Sequence, residues 1–143
     1  MNRIGQGRWA LVLLCGLLAA TLGGCATGSQ WARVADQQDF QHRISSATQP
    51  VLVEFYRTEC PHCWGVAPML NSLSDDYQGR IQFLAVEYSQ GGALFGQYRI
   101  IGTPTVILFT GGNERERFVG EGSKSVYTRA LDSALAVQPR RSP

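Results

Sequence analysis

The stretch of this sequence that most constrains its fold runs from Val51 to Leu70 and reads VLVEFYRTECPHCWGVAPML. It opens with an apolar run rich in β-branched and aromatic residues, which is typical of a buried strand. A short polar turn follows, then two cysteines separated by two residues, Cys60 and Cys63, and then apolar residues at helical spacing. The sequence therefore predicts a strand, a turn and a helix, with the cysteine pair at the start of the helix.

The position of this cysteine pair predicts redox chemistry. The first turn of a helix leaves backbone N–H groups without partners and carries a partial positive charge, so a thiolate there is stabilised and its pKa falls. The thiolate is the form of cysteine that attacks a disulfide. We therefore expect Cys60 to be the nucleophile. Cys63, one helical turn further on, is expected to resolve the mixed disulfide.

Residues 1–24 are predicted to be an export signal that is cleaved. Two arginines give a positive start, and the apolar run 9–22 is shorter than the roughly 18–20 residues that a membrane-spanning helix needs. The small residues before Cys25 resemble the cleavage site of bacterial lipoproteins, which implies that Cys25 carries a lipid. Ala26 after it resembles an outer-membrane address, so we expect a lipid-anchored protein in the periplasm. An uncleaved anchor and an ordinary secretory signal are the alternatives, and both also export the domain.

Removal of this signal changes the charge balance and the cysteine content. The chain has 13 Lys and Arg against 11 Asp and Glu, and loss of Arg3 and Arg8 leaves 13 − 2 = 11 against 11. Without a basic excess or a Lys/Arg cluster, the sequence predicts no nucleic-acid partner. Cys15 also leaves with the signal, so Cys60 and Cys63 become the only free thiols. Two cysteines this close together indicate chemistry and not structural disulfides.

Half of a zinc site is the alternative interpretation of such a pair. Structural zinc takes four ligands, however, and beyond the two thiols the expected mature chain offers only His42 and His62. His62 lies between the cysteines in the same turn. The sequence therefore predicts no metal site, and no cofactor other than a redox-active Cys60–Cys63 disulfide.

The remaining chain is long enough for one domain with one core. We expect a tether at residues 25–30, a domain at 31–137 and a frayed tail at 138–143. Periodicity and turn residues predict strands at 31–34, 51–56, 81–88, 105–110 and 116–119, and helices at 36–46, from Pro61 with a kink at Pro68, at 93–98 and after Ser123. The order βαβαβαββα predicts an α/β fold in which helices cover both faces of a mixed sheet.

The chain from about Trp31 to Val137 resembles the thioredoxin family. The motifs that carry the resemblance occur in the family's order: the VLVEFY strand, Cys-x-x-Cys followed by Pro68, Tyr77-Gln78-Gly79, Ile101-Gly102-Thr103-Pro104-Thr105 and Gly111-Gly112. A bare Cys-x-x-Cys is weak evidence of kinship, whereas an ordered set across the domain is specific. The resemblance implies a thioredoxin fold and the activity of a protein thiol–disulfide oxidoreductase, whether oxidase, reductase or isomerase.

The resemblance also implies roles for three residues outside the cysteine motif. Glu54 falls where the family has a buried acid that accepts the proton of the resolving thiol; the alternative is a strand acid that points to solvent. In the reducing enzymes a lysine often accompanies that acid, and the matching stretch 83–86 (FLAV) has none. Thr103 and Pro104 match the family's cis-proline loop, where the Thr103 backbone would pair with an extended substrate strand.

Pro61 and His62 are expected to tune the pair. Cys-Pro-His-Cys resembles the motif of strongly oxidising periplasmic disulfide donors and not the Gly-Pro pair of reducing thioredoxins. A histidine there can favour the thiolate, which makes the disulfide a better oxidant; a solvent-exposed histidine with little effect is the alternative. Glu59 directly before Cys60 is a like charge that would raise the Cys60 pKa, and Arg57 could offset it.

The sequence thus predicts a lipid-anchored, exported thiol–disulfide oxidoreductase, with the oxidising direction slightly favoured. Its expected partners are proteins that present thiols or disulfides, the membrane through the lipid on Cys25, and a separate redox protein that recharges the pair. The chain lacks room for the large helical insertion of the dedicated oxidases, so a reductase or isomerase role stays open. A redox-inert module of thioredoxin fold that binds a partner at the membrane surface is the alternative function.

Overall fold

The computed structural model describes residues 31–137, and these residues form helices and strands in the predicted order. The predicted signal, tether and tail, and with them the lipidation of Cys25, lie outside the described residues. The strands are β1 (Ala32–Arg33), β2 (Val51–Tyr56), β3 (Gln82–Glu87), β4 (Thr105–Thr110) and β5 (Asn113–Val119). The helices are α1 (Gln37–Ser46), α2 (Pro61–Asp76), α3 (Tyr88–Gln97) and α4 (Lys124–Val137).

The strands form one mixed sheet in the order β1-β3-β2-β4-β5. β3 pairs in parallel with both β1 and β2, β4 is antiparallel to β2, and β5 is antiparallel to β4. β2 therefore lies at the centre of the sheet, where its residues, apolar except for Glu54, are buried on both faces. The predicted α/β fold with a mixed sheet is confirmed.

Two hydrophobic clusters cover the two faces of this sheet. One cluster joins Leu52 of β2 to α2 and α4, and the other joins Phe55 of β2 to α1 and α3. Successive side chains of a strand point to opposite faces. Glu54 therefore shares the face of Leu52, beneath the helix that begins at the cysteine pair.

The structure corrects the predicted start of α3, which is Tyr88 and not Ala93. The side chain of Glu87 accepts a hydrogen bond from the Ser89 backbone N–H at 2.7 Å and caps the helix there. Glutamate is not among the residues that N-cap patterns favour, so the sequence carried no clear start signal. The helix is kinked at Gly91, whose backbone angles are not helical (φ −115°, ψ 24°), so the glycines do interrupt it before residue 93. Gly91 also lets the chain pack closely on β3, because a Cβ at this position would collide with the side chain of that strand's Val86.

The structure also moves the hairpin between β4 and β5. β5 begins at Asn113, three residues before the predicted Glu116, because the chain reverses within Gly111 and Gly112. Both glycines have positive φ, 55° and 82°, which favours glycine and suits a two-residue hairpin turn.

α2 continues through Pro68 to Asp76.

Across residues 31–137, no helix combines the length and the hydrophobicity that crossing a bilayer would require.

Candidate active site

Cys60 is the N-cap residue of α2. Its backbone is extended, with φ −96° and ψ 108°, and its Sγ accepts a hydrogen bond from the Cys63 backbone N–H at 3.3 Å. Pro61 follows at the first position of the helix. A backbone N–H there would have no partner within the helix, so the N–H that proline lacks costs no hydrogen bond. The sulfur of Cys60 thus lies at the positive end of the helix.

The hydrogen bonds around Cys60 outweigh its partial burial. Burial acts to raise the pKa of the Cys60 thiol, but the side chains of Cys63 and Thr103 and the backbone N–H groups of Cys63 and His62 lower it, so the pKa lies below the ordinary 9.0. In the thiol form, the Cys60 Sγ also donates to the Thr103 carbonyl oxygen at 3.4 Å. Ionisation gives up that one bond and keeps the donors that favour the thiolate.

Cys63 differs from Cys60 although both are free thiols in the same helical turn. Its side chain faces the core and is 4% exposed. Burial, together with the hydrogen bond to the Cys60 side chain, raises the pKa of Cys63 to about 11. The pair therefore combines an outer sulfur that ionises readily with an inner one that keeps its proton.

Glu54 is a buried carboxyl group in the middle of β2, with 8% of its surface exposed. It pairs in register with Ala85 on one side and Val106 on the other. Burial raises the pKa of Glu54 from the ordinary 4.5 to about 7, because the charged form loses its solvation. The alternative of a strand acid that points to solvent is wrong.

A pocket of about 390 Å³ connects Glu54 to Cys63. Both Glu54 and Cys63 line it, as does Trp64, whose Nε1 donates to the Thr58 carbonyl oxygen at 2.9 Å. A pocket of this size with polar walls has room for water. Glu54 therefore has a route for exchanging protons with solvent beside the resolving sulfur.

Arg33 brings a positive charge to this pocket from the edge strand. It stands in register with Ala85, and Ala85 stands in register with Glu54, so the three residues form a row across the sheet. The Arg33 guanidinium donates to the Tyr56 hydroxyl at 2.9 Å, and both side chains line the pocket. Sequence reasoning missed Arg33 because only strand pairing brings it into the row of Glu54.

The loop before β4 lies against the outer sulfur. The Thr103–Pro104 peptide bond is cis, and the Thr103 carbonyl oxygen is the acceptor for Cys60 Sγ described above. Thr105, at the start of β4, donates through its side chain to the Gly102 carbonyl oxygen at 2.7 Å and closes the loop. The structure thus brings Thr103, one of the two predicted substrate-binding residues, into contact with the predicted nucleophile.

The His62 side chain points to a residue that no sequence motif marked. Its Nδ1 lies 2.9 Å from Oε1 of Glu121, in the loop between β5 and α4. The hydrogen bond to Glu121 and then its charge raise the pKa of His62. Glu121 is 59 positions away in sequence, and a single acid between two glycines gives no signal of a role.

Arg57, which the sequence suggested could offset the charge of Glu59, lies against an aromatic ring. Glu59 is exposed, and the Arg57 guanidinium lies over the Tyr88 ring, 3.5 Å from its centre. Arg57 is thus engaged by an aromatic face at the start of α3. Its backbone carbonyl accepts a hydrogen bond from the Cys60 N–H at 3.2 Å, which closes the turn.

Within residues 31–137, no three His, Cys, Asp or Glu side chains are grouped so that they could hold a metal ion. His42 lies on α1, which packs on the opposite face of the sheet from α2. The two histidines named for the zinc alternative are therefore not on the same side of the molecule.

Comparison with known proteins gives matches over the same region. The family model described as Thioredoxin matches residues 32–133. The M-type chloroplastic thioredoxin of Zea mays is 33% identical over 102 residues, which are 71% of this chain and 61% of the maize protein. Thioredoxin 1 of Nostoc sp. is 30% identical over 104 residues, covering 73% of this chain and 96% of the relative. A Staphylococcus aureus thioredoxin is 31% identical over 97 residues, which are 68% of this chain and 91% of that protein. Against the chloroplastic relatives from maize, Arabidopsis thaliana (M2) and wheat, the match spans only 55–61% of their length.

Proposed function

This chain belongs to the thioredoxin family, and from that premise we propose that it is a thiol–disulfide oxidoreductase acting on cysteines of exported proteins through Cys60 and Cys63. The observation that carries the proposal is that the two cysteines of one helical turn have pKa values shifted in opposite directions. Cys60 ionises more readily than an ordinary thiol, whereas Cys63 has a pKa of about 11 and lies beside a buried acid. A redox-inert binding module would have no need of this difference.

In the reducing direction, the Cys60 thiolate attacks one sulfur of a substrate disulfide. A Cys60–substrate mixed disulfide forms, and the other substrate sulfur leaves as a thiolate that takes a proton from solvent. Cys63 then attacks the Cys60 Sγ, the intramolecular disulfide forms, and the second substrate thiolate leaves. Two electrons have passed from the pair to the substrate.

Cys63 must lose its proton before it can attack, and its pKa of about 11 makes this unfavourable without a base. Glu54 is the acceptor that the pocket provides. Its pKa of about 7 lets it take the proton near neutral pH and return it to solvent. In the oxidising direction the steps run in reverse, and Cys63 leaves Cys60 as a thiolate that takes a proton from Glu54.

The oxidising direction is the one that we favour. Glu121 raises the pKa of His62, and a protonated His62 in the turn after Cys60 would stabilise the thiolate and hence the reduced pair, which makes the disulfide a stronger oxidant. Pro61 and His62 are the residues to which we assign this tuning. Strongly oxidising and reducing members of the family differ by on the order of 150 mV.

We place the protein in the periplasm, tethered by a lipid on Cys25 and with the outer membrane as its expected site. The support for this is the leader sequence alone. The substrates would be exported proteins with thiols or disulfides, bound in part through the backbone of Thr103 beside Pro104. A separate redox protein would recharge the pair.

The experiment that tests the activity is capture of mixed disulfides by the Cys63→Ser variant of the full chain in a bacterial envelope. We expect covalent adducts through Cys60 that a reductant releases. The Cys60→Ser/Cys63→Ser double variant is the matched control and should form none. A Cys63→Ser variant that is folded and exported yet forms no adduct would contradict the proposal.

Two further measurements test direction and location. Equilibration of the Cys60–Cys63 pair in glutathione buffers gives its potential, and a value near that of reducing thioredoxins would refute the oxidising preference. Substitution Cys25→Ser should release the protein from the membrane fraction. Continued membrane association of that variant would contradict the lipid anchor.

A further inference from the structure

The contact between His62 and Glu121 joins two segments that have no sequence relation. His62 Nδ1 and Glu121 Oε1 are 2.9 Å apart, and the side chains are 74% and 59% exposed. An exposed ion pair adds little to folding stability. Its position is unusual, however, because one partner lies between the two cysteines of the active site.

The loop that carries Glu121 is held in place by contacts with the active site. The backbone N–H of Gly120 donates to the carbonyl oxygen of Pro104 at 2.8 Å. Gly120 has a φ of 78°, a conformation that favours glycine. The cis-proline loop therefore contacts Cys60 on one side and fixes the Glu121 loop on the other.

Two more glycines allow close packing here, Gly65 beside the carboxylate and Gly122 beside the ring of Tyr127. Gly65 lies one helical turn after His62 on the same face of α2, and a Cβ there would be 3.3 Å from Glu121 Oε1. A Cβ at Gly122 would lie 2.9 Å from the buried ring of Tyr127. A side chain at Gly65 would require the carboxylate to shift slightly, and one at Gly122 would displace the loop or the Tyr127 ring.

We propose that Glu121 is a positioning residue that anchors the His62 side chain in the turn after Cys60, and so sets how strongly this turn stabilises the Cys60 thiolate. The inference rests on the proposed redox function and adds to it a residue outside the Cys-Pro-His-Cys motif. The direction of the effect depends on which other charges face His62.

The charged groups around His62 come from its own turn and from the loop. Glu121 faces it from the loop, Cys60 is in its own turn, and Glu59 precedes that turn. The pKa of His62 is raised first by the hydrogen bond to Glu121, then by the charge of Glu121, and also by the charge of Cys60. Interactions between titrating groups are reciprocal, so the imidazolium in turn favours the Cys60 thiolate.

The test is substitution Glu121→Gln in two backgrounds. An unpartnered histidine titrates near pH 6.5. With His62 present, Glu121→Gln lets the ring lose its charge as the pH rises through neutral, so the pH at which Cys60 ionises should rise. With His62→Gln already made, Glu121 is only a nearby negative charge, so its removal should lower that pH. The change that Glu121→Gln makes in the ionisation pH of Cys60 is thus expected to have opposite signs with and without His62.

The measurement is the pH dependence of iodoacetamide alkylation at Cys60, followed by mass spectrometry of its peptide in full-length Cys63→Ser protein. At pH 7 we expect Glu121→Gln to slow the reaction about two- to fivefold, the range for an exposed ion pair. NMR titration of the His62 ring should show its midpoint moving down. Glu59→Gln is the matched control, because it removes a carboxylate next to Cys60 without touching His62 and should act with one sign in both backgrounds.

An effect of Glu121→Gln with the same sign in both backgrounds, or no effect in either, would overturn the inference. A His62 titration that Glu121→Gln does not move would overturn it as well. A Cys60 that reacts as an ordinary thiol in every variant would instead contradict the proposed function on which the inference rests.

Discussion

Replacement of Glu54 by glutamine should make the protein more stable at alkaline pH and a poorer catalyst. Glutamine keeps the shape of the side chain and removes its ionisation. Glu54 is 8% exposed, so its carboxylate has little water around it in the fold. The unfolded chain has no such restriction, so it ionises Glu54 at a lower pH than the folded chain does.

The size of the effect follows from the two pKa values. Glu54 has a pKa of about 7 in the fold, against an ordinary 4.5. This difference corresponds to about 3 kcal/mol. Below pH 4.5 the group is protonated in both states and contributes no pH dependence. Between pH 4.5 and 7 the unfolded state binds fewer protons, so the stability that this group contributes falls with rising pH and is lost above pH 7.

The assay is urea unfolding of the reduced protein at pH 5 and pH 8. The difference in unfolding free energy between wild type and Glu54→Gln should change by about 2–3 kcal/mol between these two pH values, in favour of the variant at pH 8. Glu59→Gln, which alters an exposed carboxylate, should leave the pH dependence of the wild type unchanged.

The same variant tests the role of Glu54 in proton transfer. Without an acceptor for the Cys63 proton, closure of the Cys60–Cys63 disulfide should slow by on the order of 10²-fold near neutral pH. Stability profiles of wild type and Glu54→Gln that run parallel from pH 5 to pH 8 would refute the argument from burial. An unchanged closure rate would refute the assignment of Glu54 as the base.

Three shorter predictions follow from other features. Alkylation of the reduced protein at pH 8 should modify Cys60 and spare Cys63, whose pKa is about 11, and mass spectrometry showing equal modification would contradict this. Phe40→Ala should lower the unfolding free energy by about 3–5 kcal/mol in urea unfolding, because the ring is fully buried; a loss under about 1 kcal/mol would argue against the α1 core. Gly65→Ala should raise the unfolding free energy by less than the roughly 1 kcal/mol expected for this change inside a helix, since its Cβ would lie 3.3 Å from Glu121 Oε1. A gain of the full amount would show that the carboxylate moves away at no cost.

Much of the fold was predictable because its signals are local. The start of α1 follows from Asp36, whose side chain caps the helix by accepting from the Asp39 backbone N–H at 2.8 Å. The bounds of β2 and β4 follow from runs of mainly apolar residues. The start of α3 was missed because its cap is a glutamate and because the helix is kinked at Gly91, so that only the part after the kink carries a clear helical signal.

The sequence by itself determined the chemistry of the cysteine pair. A strand, a tight turn and a helix start lie within about twenty residues, and the helix end that stabilises the thiolate is made by the backbone next to Cys60. The proposed nucleophile and resolving thiol are therefore encoded by neighbours one helical turn apart.

Only the tertiary structure decided how that pair is tuned. Burial of Glu54 depends on α2 lying over the centre of the sheet. Arg33 comes into the same cross-strand row as Glu54 only because β1 and β2 both pair with β3. Glu121 meets His62 across 59 residues of chain because the β5–α4 loop is tied to Pro104. Solvation and long-range charge depend on which surfaces meet in space, and a sequence pattern with a period of two or 3.6 residues carries no information about that.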